Sequence, residues 1–274
     1  MRLLIFGLGY SATRIAALAE ARGAVVTATT RDGRDATLRF DDRAAVLPAI
    51  AAATHLLSSV PPDGDADPVL AAYGDALAGR WLGYLSSTGV YGDTGGAWVD
   101  ESAATGGRRP ARTAADRAWL DLGARVFRLP GIYGPGRSAL DRVQGGEAHR
   151  VGGAGVFSRI HLDDLAAGVV AGFDAPAGAY NLADDLPVPH DRVIEFAARL
   201  LGMAPPPVVP LASLSPMARG FHAENRRVAN GKAKRVLGWR PLYPTYRDGL
   251  RAVSAIASPT PASAAPPTVS AVQR

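Results

Sequence analysis

The first twelve residues constrain the fold of this chain more than any other segment. A short apolar run, Leu3 to Phe6, ends at a Gly7-x-Gly9-x-x-Ala12 pattern, and an alanine-rich, helix-like stretch, Thr13 to Ala21, follows at once. This order of strand, tight glycine turn and helix is typical of a dinucleotide-binding βαβ unit. Gly7 permits the sharp turn, Gly9 lets the backbone approach a pyrophosphate, and Ala12 lets the helix pack close to the strand.

The start of this helix is the predicted anion site. Its first N–H groups have no partner within the helix, and the helix dipole favours a negative charge beside them. A sequence of this kind would hold the pyrophosphate through a cradle made of Gly7, Gly9, Tyr10, Ser11 and Ala12.

The end of the second predicted strand indicates which dinucleotide is bound. The β-rich run Ala24–Thr30 arrives where a βαβ unit needs its second strand, and Arg31 stands where an acidic residue usually binds the ribose 2′-hydroxyl. An arginine there can pair with the 2′-phosphate of NADP, and Arg14 is a second candidate for that phosphate. Asp32 follows directly and keeps NAD as the alternative cofactor. The competing interpretation is that Arg31 is a solvated loop charge.

The chain up to Leu129 alternates strand-like and helix-like stretches. This alternation predicts an α/β fold, a doubly wound parallel Rossmann sheet with helices on both faces, over residues 1–130. The further predicted strands are Ala36–Phe40, Thr54–Val60, Arg80–Ser86 and Arg125–Leu129, and the predicted helices are Arg43–Ala52, Pro68–Ala78 and Thr113–Gly123.

Beyond Pro130 the pattern is looser, and it predicts a small C-terminal substrate region, residues 131–252, with segments that return to the sheet. We expect loops over Gly131–Ser158, and a disordered tail over 258–274, which is rich in Pro, Ala, Ser and Thr. The other elements predicted here are the helices Asp163–Phe173, Asp191–Leu201 and Arg227–Leu237 and the strand Tyr180–Ala183.

Composition excludes several classes of function. The chain has no cysteine, so disulfides, thiolate chemistry and cysteine-ligated metals are ruled out. The net charge of +5 is almost entirely arginine, scattered among acids, which argues against nucleic-acid binding. We find no signal peptide and no apolar run long enough to span a membrane, so we expect a cytoplasmic protein without a membrane partner.

Two other kinds of site find little support. The five histidines are isolated, and His161 with Asp163 and Asp164 is better explained as a helix cap with a packed imidazole than as a metal site. We therefore predict no metal. No Gly-x-Ser-x-Gly nucleophile signature occurs.

Five segments, in the right order over about residues 1 to 252, resemble the extended short-chain dehydrogenase/reductase family, the NAD-dependent epimerase/dehydratase group. Besides the glycine turn they are the runs YLSSTGVYG (84–92), RLPGIYGPG (128–136), RIHLDD (159–164) with YNLAD (180–184), and LGWRP (237–241) with YRDGL (246–250). The turn GYSA (9–12), together with SVPP (59–62), resembles the YeeZ-like subgroup.

The resemblance implies a seven-stranded parallel sheet, with the ligand in a crevice under a small C-terminal domain. Aligned on Val90-Tyr91-Gly92, the family's active-site Ser or Thr falls on Ser87, with Thr88 one position later. Ser58 and Ser59 would lie near the cofactor ribose. The implied activity is hydride transfer on a small polar, nucleotide-sugar-like substrate, and a homodimer is compatible with the family.

The chain departs from the family at its acid–base pair. Active members carry a Tyr and a Lys four residues apart; if Asp116 takes the place of the family Glu, Arg112 falls on the Lys and Arg108 on the Tyr. Arg112 can supply positive charge and ribose hydrogen bonds, whereas Arg108 cannot act as a general acid. The candidate catalytic residues are therefore Ser87 and Arg112, and the proton donor stays open. The alternative is a non-catalytic NADP(H)-sensing regulatory protein.

Overall fold

The structure is a computed structural model that describes residues 1–153 and 155–257, apart from the side chains of Met217, Phe221 and Ala257. The predicted disordered tail, 258–274, lies outside the described residues.

The strands and helices alternate as predicted in the first half of the chain. The strands are β1 Arg2–Phe6, β2 Val25–Thr30, β3 Leu38–Arg39, β4 His55–Ser58, β5 Trp81–Ser87, β6 Trp98–Val99, β7 Arg125–Leu129, β8 Gly131–Tyr133, β9 Val156–Phe157, β10 Arg159–His161, β11 Gly178–Asn181, β12 Val188–Pro189 and β13 Arg227–Val228. The helices are α1 Tyr10–Ala21, α2 Arg43–Ala52, α3 Pro68–Tyr73, α4 Pro110–Asp121, α5 Ala139–Gln144, α6 Leu162–Ala171, α7 His190–Leu200, α8 Pro216–His222, α9 Gly231–Val236 and α10 Tyr246–Ala257.

The central sheet has seven parallel strands in the order β11-β7-β5-β4-β1-β2-β3. From β1 the chain first moves outward to β2 and β3, and then returns to add β4 on the other side of β1. The direction of winding therefore reverses between β1 and β4, and the crevice at the carboxyl ends of these strands is where such sheets bind ligands. The predicted doubly wound Rossmann fold is confirmed.

A hydrophobic core lies on each face of the sheet, and a strand contributes side chains to both cores because successive side chains point to opposite faces. In β1, Leu3 and Ile5 belong to the core that includes residues of α1 and α6, whereas Leu4 and Phe6 belong to the core that includes residues of α2, α3 and α4. These four side chains are almost completely buried. This packing on both faces fixes the position of β1 and therefore of the glycine turn that follows its carboxyl end.

The region after Pro130 is more ordered than predicted. The segment expected to form loops, Gly131–Ser158, contains β8, α5 and β9, so that prediction was wrong. Helix α5 begins at a capping box, in which the Ser138 hydroxyl accepts from the Asp141 backbone N–H and the Asp141 carboxylate accepts from the Ser138 backbone N–H. Helix α5 packs with α7 and α10 around a third core, and β11 returns to the sheet beside β7.

The late helix predicted over Arg227–Leu237 is divided in the structure. Arg227 and Val228 form β13, which pairs in parallel with Trp98 and Val99, and the helix begins only at Gly231. Pairing with a distant strand therefore outweighs the local helical preference of these two residues.

Candidate active site

The glycine turn has the geometry that its residue types predict. Gly7 has φ +84°, in the left-handed region, and its backbone N–H donates to the Thr29 carbonyl at 3.2 Å. A Cβ at Gly7 would lie 3.0 Å from Val60 Cγ2. The Ser59 hydroxyl donates to the Gly7 carbonyl, so the ends of β1 and β4 are joined at this turn.

Helix α1 begins directly after the turn, with Gly9 at the N-cap. Gly9 provides no side-chain cap, and no atom outside its chain neighbours lies within 4 Å of the position of a Cβ there. The first N–H groups of α1 are therefore next to open space, which suits a diphosphate. Ala12 is buried against the sheet, whereas Ser11 is half-buried. The Tyr10 hydroxyl donates to the Pro135 carbonyl at 3.0 Å, which ties this helix end to the C-terminal region.

The two arginines considered for a 2′-phosphate lie in different surroundings. Arg31 directly follows β2 and is exposed, and its guanidinium has no hydrogen-bond or ion-pair partner among the described residues. Asp32 pairs with Arg34 instead, at 3.4 Å. The guanidinium of Arg14 contacts the Asp163 carboxylate at 2.5 Å, at the start of α6. Arg31 is thus free to bind a ligand, while Arg14 is held within the protein.

Of the two serines at the end of β4, one is engaged and one is not. Ser59 is tied to Gly7, as described above. Ser58 is completely buried, and its hydroxyl has no partner in the part of the chain that the structure describes.

Ser87 ends β5 at the carboxyl edge of the sheet and begins a tight turn, Thr88–Tyr91. Its hydroxyl accepts the Gly89 backbone N–H at 3.1 Å, so the side chain is oriented by its own turn. Thr88 is buried and lines the cavity described below. Tyr91 is occupied elsewhere: its hydroxyl donates to Asn181 Oδ1 at 2.8 Å and accepts from Arg128 at 3.0 Å.

A buried ion pair between Asp116 and Arg128 lies next to the turn Thr88–Tyr91. The Asp116 carboxylate accepts the Nε and Nη2 groups of Arg128 at 3.1 and 2.7 Å, and the Ser86 hydroxyl donates to it at 2.6 Å. The side chains of Arg128 and Asp116 are 4% and 3% exposed. Burial alone would lower the pKa of Arg128, but its hydrogen bonds and the nearby charges raise it overall. Asp116, the predicted counterpart of the family Glu, thus anchors α4 to β5 and β7.

The two arginines in place of the family Tyr and Lys are separated by the start of α4. Helix α4 begins at Pro110, so Arg112 lies on the helix and Arg108 lies before it. Arg112 is half-buried with no hydrogen-bond or ion-pair partner among the described side chains, and its charge acts to lower the pKa of Tyr84, although burial raises that pKa overall. The Nε of Arg108 donates to Glu224 at 2.8 Å.

A cavity of about 720 Å³ opens between Thr88 and the C-terminal region. Its lining includes apolar groups such as Ile132, Val193 and Leu250, and the lining side chains that carry positive charge are Arg137, Arg142, Arg159 and Arg226. His190 also lines it. Burial, followed by the charges of nearby arginines and histidines, lowers the pKa of His190 to about 3, so this imidazole is neutral at neutral pH.

Sequence reasoning missed these cavity residues. Arg142 follows a capping-box helix start that was readable at Ser138 and Asp141, but nothing local marks Arg226 as a cavity residue. Its position depends on how α8 and β13 fold back toward the turn after β5.

Two kinds of feature are absent from the described residues, a metal centre and a membrane-spanning helix. No group of three or more His, Asp or Glu side chains is arranged to hold a metal ion. None of the helices in the described ranges combines the length and apolar character needed to cross a bilayer.

The chain is similar to several known proteins in sequence and in structure. No family model matches the chain. A conserved protein of unknown function from Silicibacter pomeroyi DSS is 41% identical, with a TM-score of 0.86, and the match covers 93% of this chain and 98% of that one. The 3-diazoavenalumate denitrifying reductase of a Streptomyces species is 38% identical over 146 residues, and the match spans 47% of each chain. The matched part is thus about half the length of that curated relative.

More distant structures share the fold. Thermus thermophilus UDP-glucose 4-epimerase, solved with NAD, has 20% identity and a TM-score of 0.72, over 93% of this chain and 98% of that chain. The human epimerase family protein SDR39U1, solved with NADPH, has 17% identity and a TM-score of 0.73, over 93% and 99%.

The seven-stranded sheet, the glycine turn at α1 and the serine turn after β5 together define a protein of the Rossmann class. The chain has the fold of the NAD-dependent epimerase/dehydratase group, the extended short-chain dehydrogenases/reductases, and its membership of the atypical branch of that family stays a prediction. Membership of the YeeZ-like subgroup stays a prediction.

Proposed function

We propose that this protein is an NADP(H)-dependent oxidoreductase that transfers hydride to or from a small polar, nucleotide-sugar-like substrate. One observation carries the proposal: the uncapped start of α1 lies at the end of β1, and the neighbouring strand β2 ends directly before Arg31, whose guanidinium has no partner among the described residues. The Streptomyces relative is a reductase, which supports the same reaction class.

The residues present fit a pyridine dinucleotide. Gly7 and Gly9 keep the turn free of side chains, and the backbone N–H groups at Tyr10, Ser11 and Ala12 would hold the pyrophosphate. Arg31 would pair with the 2′-phosphate of NADP, with NAD and Asp32 as the alternative. Ser58, whose buried hydroxyl has no partner among the described residues, and Ser59 are the proposed neighbours of the ribose.

The bound nicotinamide would supply or accept the hydride, and the protein would orient the substrate. Ser87, which already accepts the Gly89 N–H, still has its own O–H to donate to a substrate oxygen. Arg112 would add positive charge and ribose hydrogen bonds. Arg108, whose Nε donates to Glu224, is not proposed as the proton donor. Loss of a general acid typically lowers the rate by about a hundred- to ten-thousandfold without abolishing it.

Fluorescence titration with NADPH and NADH tests the cofactor assignment. Arg31→Ala should weaken NADPH binding by about tenfold or more, because a charged hydrogen bond to phosphate contributes about 1.5–3 kcal/mol, and it should leave NADH binding unchanged. Arg34→Ala is the matched control, since Arg34 lies in the same exposed loop but pairs with Asp32. Equal NADPH affinity in wild type and Arg31→Ala would remove the NADP assignment.

A second candidate is a non-catalytic protein that senses NADP(H) and signals to a partner. It is favoured by the replacement of both acid–base residues with Arg108 and Arg112. Hydride exchange between a labelled cofactor and a panel of nucleotide sugars and aldehydes separates the two candidates. Turnover that disappears in a Ser87→Ala, Arg112→Ala double variant would exclude the sensor, whereas intact binding without exchange would favour it.

A further inference from the structure

Arg226 is held in the cavity by one half of its guanidinium only. Its Nη1 donates to the Gly92 carbonyl at 2.7 Å and to Glu224 Oε2 at 2.6 Å. Its Nε–H and its two Nη2–H groups have no acceptor among the described residues. The side chain is 13% exposed, and it lines the cavity together with Thr88. The unused donors therefore belong to a guanidinium that is already fixed in place.

The Nε and Nη2 edge of the guanidinium, which is unpaired in Arg226 among the described residues, binds a carboxylate in two other arginines of this protein. Arg128 holds Asp116 through Nε and Nη2, and Arg39 holds Asp41 through the same two nitrogens, at 3.1 and 2.9 Å. This fork matches the two oxygens of a carboxylate, or two oxygens of a phosphate, in a bidentate pair. At Arg226 the fork has no such partner in the part of the chain described.

Glu224 does not cancel the positive charge of this region. Its two oxygens are shared between Arg226 and Arg108, so the three side chains together retain one positive charge. Arg142 adds another: it is half-buried in the same cavity and has no ion-pair or hydrogen-bond partner for its side chain among the described residues. Two acids, Asp141 and Glu147, also line the cavity, but four arginines outnumber them. Apolar groups such as Ile132, Val193 and Leu250 would contact the uncharged part of a substrate.

From this arrangement we propose that Arg226, assisted by Arg142, binds an oxyanion group, a carboxylate or a phosphate, on a small substrate whose uncharged part contacts the apolar side of the cavity. The inference deepens the proposed function, because it assigns the substrate class of the same site. Since Arg226 is anchored to Gly92, at the end of the turn that carries Ser87 and Thr88, the oxyanion would be bound beside the reacting end of the cavity.

Calorimetry on the full-length protein, with and without saturating NADP⁺, tests this with three probes of similar size: benzoate, phenyl phosphate and benzamide. We expect one or both anions to bind and benzamide to bind at least tenfold more weakly. Arg226→Lys keeps the charge and can keep the Glu224 contact but loses the fork, so it should weaken anion binding about tenfold or more. Arg142→Gln should weaken it as well. The stronger anion identifies whether carboxylate or phosphate is the natural group.

Arg150→Lys is the matched control. Arg150 is also a half-buried arginine paired with one glutamate, Glu195 at 2.9 Å, but it does not line the cavity, so anion binding should be unchanged. Thermal unfolding of each variant checks folding, and Arg142→Gln gives an independent answer if Arg226→Lys is unstable. Benzamide binding as well as benzoate, no anion binding, or unchanged binding in a folded Arg226→Lys would each overturn the proposal. NADPH affinity, measured on the same samples, reports separately on the proposed function.

Discussion

The buried pair between Asp116 and Arg128 allows a sharp prediction about stability. Asp116→Asn keeps the shape of the side chain but removes its charge, and an amide N–H₂ must then face at least one of the three donors that now point at the carboxylate. The guanidinium of Arg128, only 4% exposed, would be left without a counter-charge. Removing one partner of a buried pair costs about 3–5 kcal/mol, so we expect a loss of that size in the free energy of unfolding.

The exposed pair of Arg39 and Asp41 provides the comparison. It uses the same two nitrogens at similar distances, but its side chains are 58% and 66% exposed. Water screens such a pair, so Asp41→Asn should leave the stability unchanged within error. Urea unfolding followed by circular dichroism measures both variants, and Asp116→Asn combined with Arg128→Met should be less damaging than Asp116→Asn alone. Equal effects of the two Asn variants would refute the reasoning from burial.

Two further predictions concern the glycine turn and a buried acid. Gly7→Ala and Gly23→Ala place a Cβ at similar positive φ, +84° and +82°, but only at Gly7 would it meet other atoms, with Val60 at 3.0 Å. A dinucleotide titration should therefore show weaker NADPH binding in Gly7→Ala alone, and a parallel loss in both variants would contradict this. Burial raises the pKa of Asp184 to about 7, against the opposing charge of Arg159. Between pH 4 and 7 the unfolded chain ionises this group first, so its contribution to stability falls as pH rises. In thermal unfolding measured between pH 4 and 7, the stability difference between Asp184→Asn and wild type should therefore shift in favour of the variant as pH rises. A stability difference that does not change with pH would argue against this.

The parts of the fold that depend on local order could be predicted from the sequence. The glycine turn between β1 and α1 is specified by adjacent residues, and the helix Arg43–Ala52 and the strand Arg125–Leu129 have the predicted bounds. The prediction of loops over Gly131–Ser158 was wrong. It relied on the high content of glycine and arginine in this segment and overlooked a local helix signal, the capping box that begins at Ser138.

The candidate site was less predictable because distant segments form it. The strand at Arg227 and Val228 exists only through its pairing with Trp98 and Val99, which no local pattern shows. Arg226, one residue earlier, is brought to the turn after β5 by the same long-range arrangement. The candidates Ser87 and Arg112 were found only through resemblance, and their roles stay predictions.

The arginines of this protein differ in how many of their donors are satisfied, and this difference separates support from binding. Arg128 uses all three of its nitrogens within the protein, so adding a ligand can gain nothing there. Arg226 uses one nitrogen, and the side chains of Arg31 and Arg142 have no hydrogen-bond partner among the described residues. At the partly buried Arg142 and Arg226, a donor without an acceptor is a cost to the folded state, which a bound anion relieves, whereas Arg31 is exposed and carries no such cost. Any ligand that binds only the folded state raises its stability. The free energy of unfolding should therefore rise with both a dinucleotide and a small oxyanion, and the two increments should add if Arg31 and Arg226 serve separate ligands.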